Sequence, residues 1–121
     1  MTLRMLVVDE QKSVRFAIAE YFRVQGYDVD CARTLRQAQA MLGLSEYALI
    51  IGDLYTRGED GSEGVRLLRY IREHHPATRI IALSQHAPKE WEGSCEADVV
   101  VQTPKSLAEI AELAMRLLDV A

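Results

Sequence analysis

The sequence predicts an α/β domain in which a parallel β-sheet is covered by helices on both faces. Short, continuous apolar runs recur along the chain, and such runs are typical of parallel strands that are buried on both faces. Segments with apolar residues at the helical spacing of ~3.6 residues separate these runs, and the alternation predicts right-handed β–α–β units. The 121 residues are enough to bury the core of one domain, which we assign to residues 1–121.

The first two β–α units each show a strand pattern followed by a helix pattern. Arg4–Val8 is the first predicted strand, and Gly26, a residue type common at helix C-caps, ends the helix that follows. The apolar stripe of that helix consists of Val14, Ala17, Ile18, Tyr21 and Phe22. Tyr27–Ala32 alternates apolar and acidic residues, which indicates an edge strand. Thr34 and Gln37 form a capping box for the second helix. The buried face of the second helix consists of Leu35, Ala38, Met41 and Leu42.

The other three units complete a five-stranded sheet. Their predicted strands are Ala48–Asp53, Arg79–Ser84 and Asp98–Gln102. The third helix begins near Ser62 and stops before Pro76, because a residue that precedes proline disfavours the helical conformation. Its buried residues are Val65, Leu68 and Ile71. Ser106 and Glu109 cap the last helix. The stripe of the last helix consists of Leu107, Ile110, Ala114, Leu117 and Leu118. The fourth helix is short, since Ala87–Ser94 has room for only about two turns.

Composition and charge exclude several classes of protein. Apolar residues make up 49% of the chain and charged residues 26%, which is typical of a globular protein in water. The net charge of −4 argues against direct nucleic-acid binding. The N-terminal residues do not resemble a signal peptide, and no apolar run approaches the ~18 residues of a membrane span. Cys31 and Cys95 belong to no metal or disulfide motif, so we expect reduced thiols and a cytoplasmic protein.

Polar residues follow four of the predicted strands. Asp9 and Glu10 come directly after the first strand, Asp53 closes the third, Ser84 ends the fourth and Thr103 follows the fifth. Carboxyl ends of neighbouring parallel strands converge on one crevice, where clustered carboxylates need a cation or shifted protonation. Mg²⁺ prefers carboxylate oxygens and waters and completes its shell with phosphate. An acid after a strand can also simply cap the next helix. The polar residues at the four strand ends together favour phosphate chemistry at a Mg²⁺ site.

Five motifs, in order along the chain from about Leu3 to Leu118, carry a family resemblance. They are Val7-Val8-Asp9-Glu10, Leu49-Ile50-Ile51-Gly52-Asp53-Leu54, Asp60-Gly61, Ile80-Ile81-Ala82-Leu83-Ser84 and Thr103-Pro104. With them the chain resembles the receiver domain of response regulators, the CheY-like family of two-component phosphorelay signalling. The resemblance implies a flavodoxin-like, doubly wound sheet of strand order 2-1-3-4-5. It also implies a sensor histidine kinase or phosphotransfer protein as partner, output through a downstream protein or effector domain, and a possible homodimer.

The resemblance also implies a role for each site residue. Asp53 would be the phosphoacceptor, whose carboxylate becomes an aspartyl phosphate. Asp9 and Glu10 would hold Mg²⁺ together with Asp53, and Tyr55 would add its backbone carbonyl. Ser84 would hydrogen-bond the phosphoryl group. A domain of this kind assists its own phosphorylation and dephosphorylation and is a signalling domain rather than an enzyme.

Several residues depart from the family pattern. Thr103 stands in place of the family's lysine, and Lys105 lies beyond Pro104, where its reach to the site is an open question. Val100 stands in place of the switch aromatic of the fifth strand, and Arg57 in place of a proline after the acceptor. The resemblance implies that the lysine, the switch aromatic and the fourth helix couple phosphorylation to output, so this coupling machinery is eroded here. The sequence therefore leaves an alternative open, in which the chain is a pseudo-receiver that acts as a phosphorylation-independent interaction module.

Overall fold

The computed structural model describes residues 3–54, 62–84, 97–102 and 106–118. In these ranges the chain forms five strands, β1 (Arg4–Val8), β2 (Asp28–Ala32), β3 (Leu49–Gly52), β4 (Arg79–Ser84) and β5 (Val99–Gln102). It also forms four helices, α1 (Lys12–Val24), α2 (Leu35–Leu42), α3 (Ser62–His74) and α4 (Leu107–Leu118). The strands agree with the predicted ones to within a residue at each end. The short helix predicted within 87–94 lies outside the described residues.

All five strands are parallel, and their order in the sheet is β2-β1-β3-β4-β5. This confirms the predicted doubly wound topology. In the register of the sheet, Val8 of β1 pairs with Ala32 of β2 on one side and with Gly52 of β3 on the other. The carboxyl ends of these three strands therefore lie side by side at one edge of the sheet.

The core consists of two buried clusters, one on each face of the sheet. Alternate strand residues point to opposite faces, so Leu6 and Ile50 pack under α2 and α3, whereas Met5 and Ile51 pack under α1 and α4. Because both faces are covered, the strands read as continuous apolar runs. In the part of the chain that the structure describes, no helix is long and apolar enough to cross a membrane.

The predicted helix ends are confirmed by specific contacts. Gly26, which follows α1, has a φ of +101°, a conformation that favours glycine. At the start of α2, the Gln37 backbone N–H donates to Thr34 Oγ1 at 3.0 Å. The Glu109 backbone N–H donates to Ser106 Oγ at 3.1 Å at the start of α4. Each cap satisfies a backbone donor that the helix itself leaves without a partner.

The buried faces of two helices were predicted with a small error in direction. In α1, Ala17 is exposed and Ala19 is buried, so the predicted stripe is wrong at Ala17. In α3, Val65 is only half-buried, whereas Leu67, which the prediction left out, is buried. Other predicted stripe residues are half-buried at the margins of the core, namely Val14, Tyr21, Met41, Leu107, Leu117 and Leu118. The surface against which a helix packs, and not its sequence alone, sets the direction of its buried face.

One carboxylate joins α3, β4 and the start of β5. Asp98 Oδ2 accepts hydrogen bonds from Arg72 Nη2 at 2.6 Å and from the Ile80 backbone N–H at 2.7 Å. Arg79 Nη1 lies 3.4 Å from Asp98 Oδ1. Only 16% of the Asp98 side chain is exposed. The pairing of the last two strands therefore depends on a mostly buried, charge-assisted contact.

We expect Asp98→Ala to lower the free energy of unfolding by about 2–3 kcal/mol, because the Arg72 guanidinium and the Ile80 N–H lose a buried carboxylate partner. Urea unfolding followed by circular dichroism measures the change. The matched control is Glu112→Ala, which removes an ion pair with Arg116 whose side chains are 65% and 72% exposed. The control should change stability by less than about 0.5 kcal/mol. Equal losses of unfolding free energy in the two variants would contradict the importance of the burial of Asp98.

Candidate functional site

The site starts from two acids that follow neighbouring strands. Asp9 comes directly after β1 and Asp53 directly after β3. The Asp9 backbone N–H donates to Ala32 O at 3.1 Å, and the Asp53 backbone N–H donates to Val8 O at 3.1 Å. These bonds continue the sheet ladders by one residue, so the backbone of each acid is fixed. Both acids are half-buried.

A cavity at this edge of the sheet brings the predicted acids together. Asp9, Glu10 and Asp53 all line it, and its volume is about 280 Å³. Residues 33–36, at the junction of β2 and α2, line the same cavity. We name it the acidic cavity, after its three carboxylates. Glu10 is exposed, in contrast to the other two acids.

The structure describes only some of the remaining predicted site residues. Ser84 ends β4, where its backbone pairs with that of Gln102, but its side chain lies outside the described part. Tyr55 and Thr103 also lie outside the described residues. Val100 is half-buried in β5 and packs against the core cluster under α2 and α3. The roles that the sequence assigns to these residues therefore stay predictions.

Asp9 has a perturbed carboxyl group. Burial raises its pKa above the ordinary carboxyl value, and the neighbouring charge of Glu10 adds to this effect. Two contacts oppose the shift, since the Gln11 backbone N–H donates to Asp9 Oδ1 at 2.9 Å and the Arg15 guanidinium lies nearby. Arg15 Nη1 also donates to the Asp9 carbonyl oxygen at 2.9 Å. The charged form of Asp9 is thus held at a cost that a bound cation would relieve.

The simple capping interpretation does not account for Asp9. The N-cap of α1 is Gln11, two residues further on, and no side chain caps this helix. Asp9 Oδ1 accepts the Gln11 N–H, but among the described residues Asp9 Oδ2 has no hydrogen-bond donor. One carboxylate oxygen is therefore available to a ligand in the acidic cavity.

The donor set of the acidic cavity suits Mg²⁺. Across residues 3–54, 62–84, 97–102 and 106–118, no three His, Cys, Asp or Glu side chains form a complete metal cage. Magnesium does not require such a cage, because it is usually bound by one or two carboxylates together with waters and phosphate oxygens. Asp9 and Asp53, which line one cavity, fit that mode of binding.

Sequence reasoning missed two residues of the acidic cavity, Arg33 and Arg36. Arg33 directly follows β2, in the same position relative to its strand as Asp9 and Asp53. The rule that located the two acids would have located this arginine as well, had it been applied to β2. Both arginines are exposed, and neither guanidinium has an ion-pair or hydrogen-bond partner in the described part of the chain. The cavity thus combines three carboxylates with two cations.

Comparisons with known proteins agree with this fold and identify a family. Residues 5–113 match the family model of the response regulator receiver domain. The transcriptional regulatory protein PmrA of Pectobacterium parmentieri is 26% identical over 108 residues, which cover 89% of this chain and 49% of PmrA. The transcriptional regulatory protein AruR of Pseudomonas aeruginosa is 29% identical over 123 residues, which cover 98% of this chain and 50% of AruR. The chain spans about half the length of these two relatives.

A solved structure shows the same fold. The response regulator TrrA of Thermotoga maritima, crystallised in complex with Mg²⁺ and BeF, is 26% identical and superposes with a TM-score of 0.80. The match covers 98% of this chain and 100% of the TrrA chain.

Proposed function

Because the chain belongs to the family of response regulator receiver domains, the signalling domains of two-component systems, we propose that Asp53 is its phosphoacceptor. The reaction depends on Mg²⁺, and the donor is the phosphohistidine of a sensor kinase or phosphotransfer protein. One observation carries the assignment of residues: Asp53 and Asp9, which follow the paired strands β3 and β1, line the same cavity. The complex of TrrA with Mg²⁺ and BeF supports the same chemistry for this chain.

Asp53 acts as the nucleophile. One of its carboxylate oxygens attacks the phosphorus atom while the phosphorus–nitrogen bond of the phosphohistidine breaks, and the product is an aspartyl phosphate. The electron pair of the broken bond stays on the imidazole nitrogen, which takes up a proton. The backbone bond from Asp53 to Val8 fixes the position of the nucleophile at the edge of the sheet. Phosphoryl transfer depends mainly on such positioning and on charge neutralisation.

Asp9 and Glu10 hold the metal ion next to Asp53. When bound, Mg²⁺ neutralises the charge on the phosphoryl oxygens. The available oxygen of Asp9, whose negative charge burial disfavours, would be the first ligand, and the exposed carboxylate of Glu10 would be the second. Asp53 and the backbone carbonyl of Tyr55 would supply further oxygen ligands. Ser84 ends β4, the neighbour of β3 in the sheet, and its proposed role is to hydrogen-bond the phosphoryl group.

The output of the domain passes through contacts with protein. The relatives PmrA and AruR are about twice as long as the segment they share with this chain. We therefore place the output in an effector region or in a separate downstream protein. The domain assists its own phosphorylation and dephosphorylation and acts on no separate substrate.

The test is intact-mass spectrometry after incubation with Mg²⁺ and acetyl phosphate, a small phosphodonor. We expect one phosphoryl adduct on the wild-type chain, none on Asp53→Asn, and none when EDTA removes the metal. Asp28→Asn is the matched control, because Asp28 is an exposed carboxylate at the amino end of β2, outside the acidic cavity. It should form the adduct as the wild type does. Failure of the wild type, with acetyl phosphate and with a cognate kinase, would overturn the proposal in favour of a pseudo-receiver.

A further inference from the structure

Two arginines line the acidic cavity together with its three acids. Arg33 follows β2 and Arg36 lies in the first turn of α2, and both line the cavity together with Asp9 and Asp53. Because β2 pairs with β1 on the side away from β3, these cations approach from the opposite side of the site to β4 and β5. The acids of the cavity thus follow β1 and β3, whereas the arginines, which we call its basic wall, belong to the junction of β2 and α2.

The capping box of α2 fixes the backbone of this basic wall. The Arg33 backbone N–H donates to Gln37 Oε1 at 2.8 Å, and Thr34 Oγ1 accepts from the Gln37 N–H at 3.0 Å. Leu35, between the two arginines, is buried in the core. The two guanidinium groups, in contrast, make no ion pair or hydrogen bond with any described residue. Their backbone is thus anchored while their donors are available.

The charges at the start of α2 also favour an anion. The first turn of α2 contains no acidic residue, although acids are the residues that a helix N-terminus favours. It contains Arg36 instead, and Arg33 lies just before it. The two arginines and the positive end of the helix dipole therefore lie close together. This arrangement favours the binding of an anion.

A phosphoryl group at Asp53 would supply that anion. Because three carboxylates already line the cavity, further positive charge beside Mg²⁺ would favour its transfer. Thr103, which stands in place of the family's lysine, adds no charge. A guanidinium can donate two parallel hydrogen bonds to phosphate oxygens.

We propose that Arg33 and Arg36 bind the phosphoryl oxygens from the β2 side and take over the charge-pairing role that a lysine at position 103 would have. This inference rests on the proposed function of Asp53. The arginines touch the transferred group and the small phosphodonor that carries it, and they contact neither the metal nor each other. The positive charge that the family has at position 103 is then supplied from another part of the site, by Arg33 and Arg36.

The first experiment compares phosphorylation rates at saturating Mg²⁺. We expect the double variant Arg33→Gln/Arg36→Gln to form the acetyl phosphate adduct about 10- to 100-fold more slowly than the wild type. Arg33→Lys/Arg36→Lys should lie between the two, because lysine keeps the charge and loses the paired donors. The control Arg69→Gln/Arg116→Gln makes the same change in net charge at exposed positions outside the cavity, and its rate should match the wild type.

The second experiment needs no covalent step. Inorganic phosphate is titrated, with Mg²⁺ present, into the wild type and the Arg33→Gln/Arg36→Gln variant, and amide NMR shifts report its affinity. We expect the double variant to bind phosphate at least about 10-fold more weakly. If the wild type forms the adduct and the double variant equals it in rate and phosphate affinity, the inference is overturned and the function of Asp53 stands. If the wild type forms no adduct, the proposed function fails, and phosphate affinity alone decides the role of the arginines.

Discussion

Gly52→Ala should lower the free energy of unfolding by about 3 kcal/mol, a large effect for the addition of one methyl group. Gly52 ends β3, directly before Asp53, with a φ of +155°. A Cβ atom on this residue would lie 1.8 Å from the carbonyl oxygen of Val8 and 2.7 Å from its carbonyl carbon. The obstacle is backbone, which cannot rotate away as a flexible side chain can. The ends of β1 and β3 would have to separate.

The expected loss of stability has two contributions, the strained backbone conformation and the clash of the Cβ atom with β1. A second glycine allows the first contribution to be measured alone. Gly26 also has a positive φ, +101°, but a Cβ atom there would meet nothing within 4 Å. Gly26→Ala should therefore cost only the strained backbone conformation, about 1 kcal/mol. Urea unfolding at 25 °C, followed by circular dichroism, gives both values. If Gly52→Ala lowers the free energy of unfolding no more than Gly26→Ala does, β1 and β3 leave room for a Cβ atom at position 52.

The same substitution should also slow phosphorylation. The carbonyl of Val8 that a Cβ atom would displace is the one that accepts the Asp53 backbone N–H at 3.1 Å. Moving it shifts Asp9 and Asp53 relative to each other, and phosphoryl transfer depends on their positions. Under conditions where Gly52→Ala is still folded, we expect a lower adduct rate than for Gly26→Ala.

The meeting of Asp9 and Asp53 could be predicted from the direction of the strands together with the strand order that the family resemblance implies. The carboxyl ends of parallel strands lie at one edge of the sheet, and β1 and β3 are adjacent in that order, so the residues just past them are neighbours whatever their side chains do. The same argument places Arg33 after β2, but the prediction from the sequence took in the polar residues after the other four strands and left out the end of β2. The topology of the sheet gives the positions of the site residues, whereas the expected ligand chemistry determines which residue types are considered.

Other features could not be predicted from residue types. Ala17 and Ala19 of α1 are equally suited to a buried or an exposed position, and the sheet surface beneath the helix decides that Ala19 is buried. The need for glycine at position 52 arises from the distance between two strands that are more than 40 residues apart in the chain. Such requirements exist only in the folded structure.

Asp9→Asn should raise stability and abolish most phosphorylation, two effects of opposite sign. Burial raises the pKa of Asp9 in the folded state, so the folded chain binds this proton more strongly than the unfolded chain does. The free energy of unfolding therefore falls as pH rises from the ordinary carboxyl pKa through the raised one, which is the reverse of the usual behaviour of an aspartate. Above that window the charged group keeps its penalty. Asparagine removes the penalty and can still accept the Gln11 N–H.

Without metal, we expect Asp9→Asn to exceed the wild type in stability at neutral pH by less than about 1 kcal/mol, because solvent screens a half-exposed charge. The difference should vanish as pH falls below the ordinary carboxyl pKa, and unfolding measured in EDTA across this range tests it. With Mg²⁺ present the order should reverse, since an ion that binds only the folded state stabilises it and the variant lacks a ligand. The adduct rate at limiting Mg²⁺ should drop about 100-fold, as even residues that only support a metal ligand cost up to that much. A variant that loses phosphorylation without gaining stability in EDTA would show that Asp9 is a ligand whose burial carries no cost. A variant that gains stability and keeps its adduct rate would remove Asp9 from the metal site.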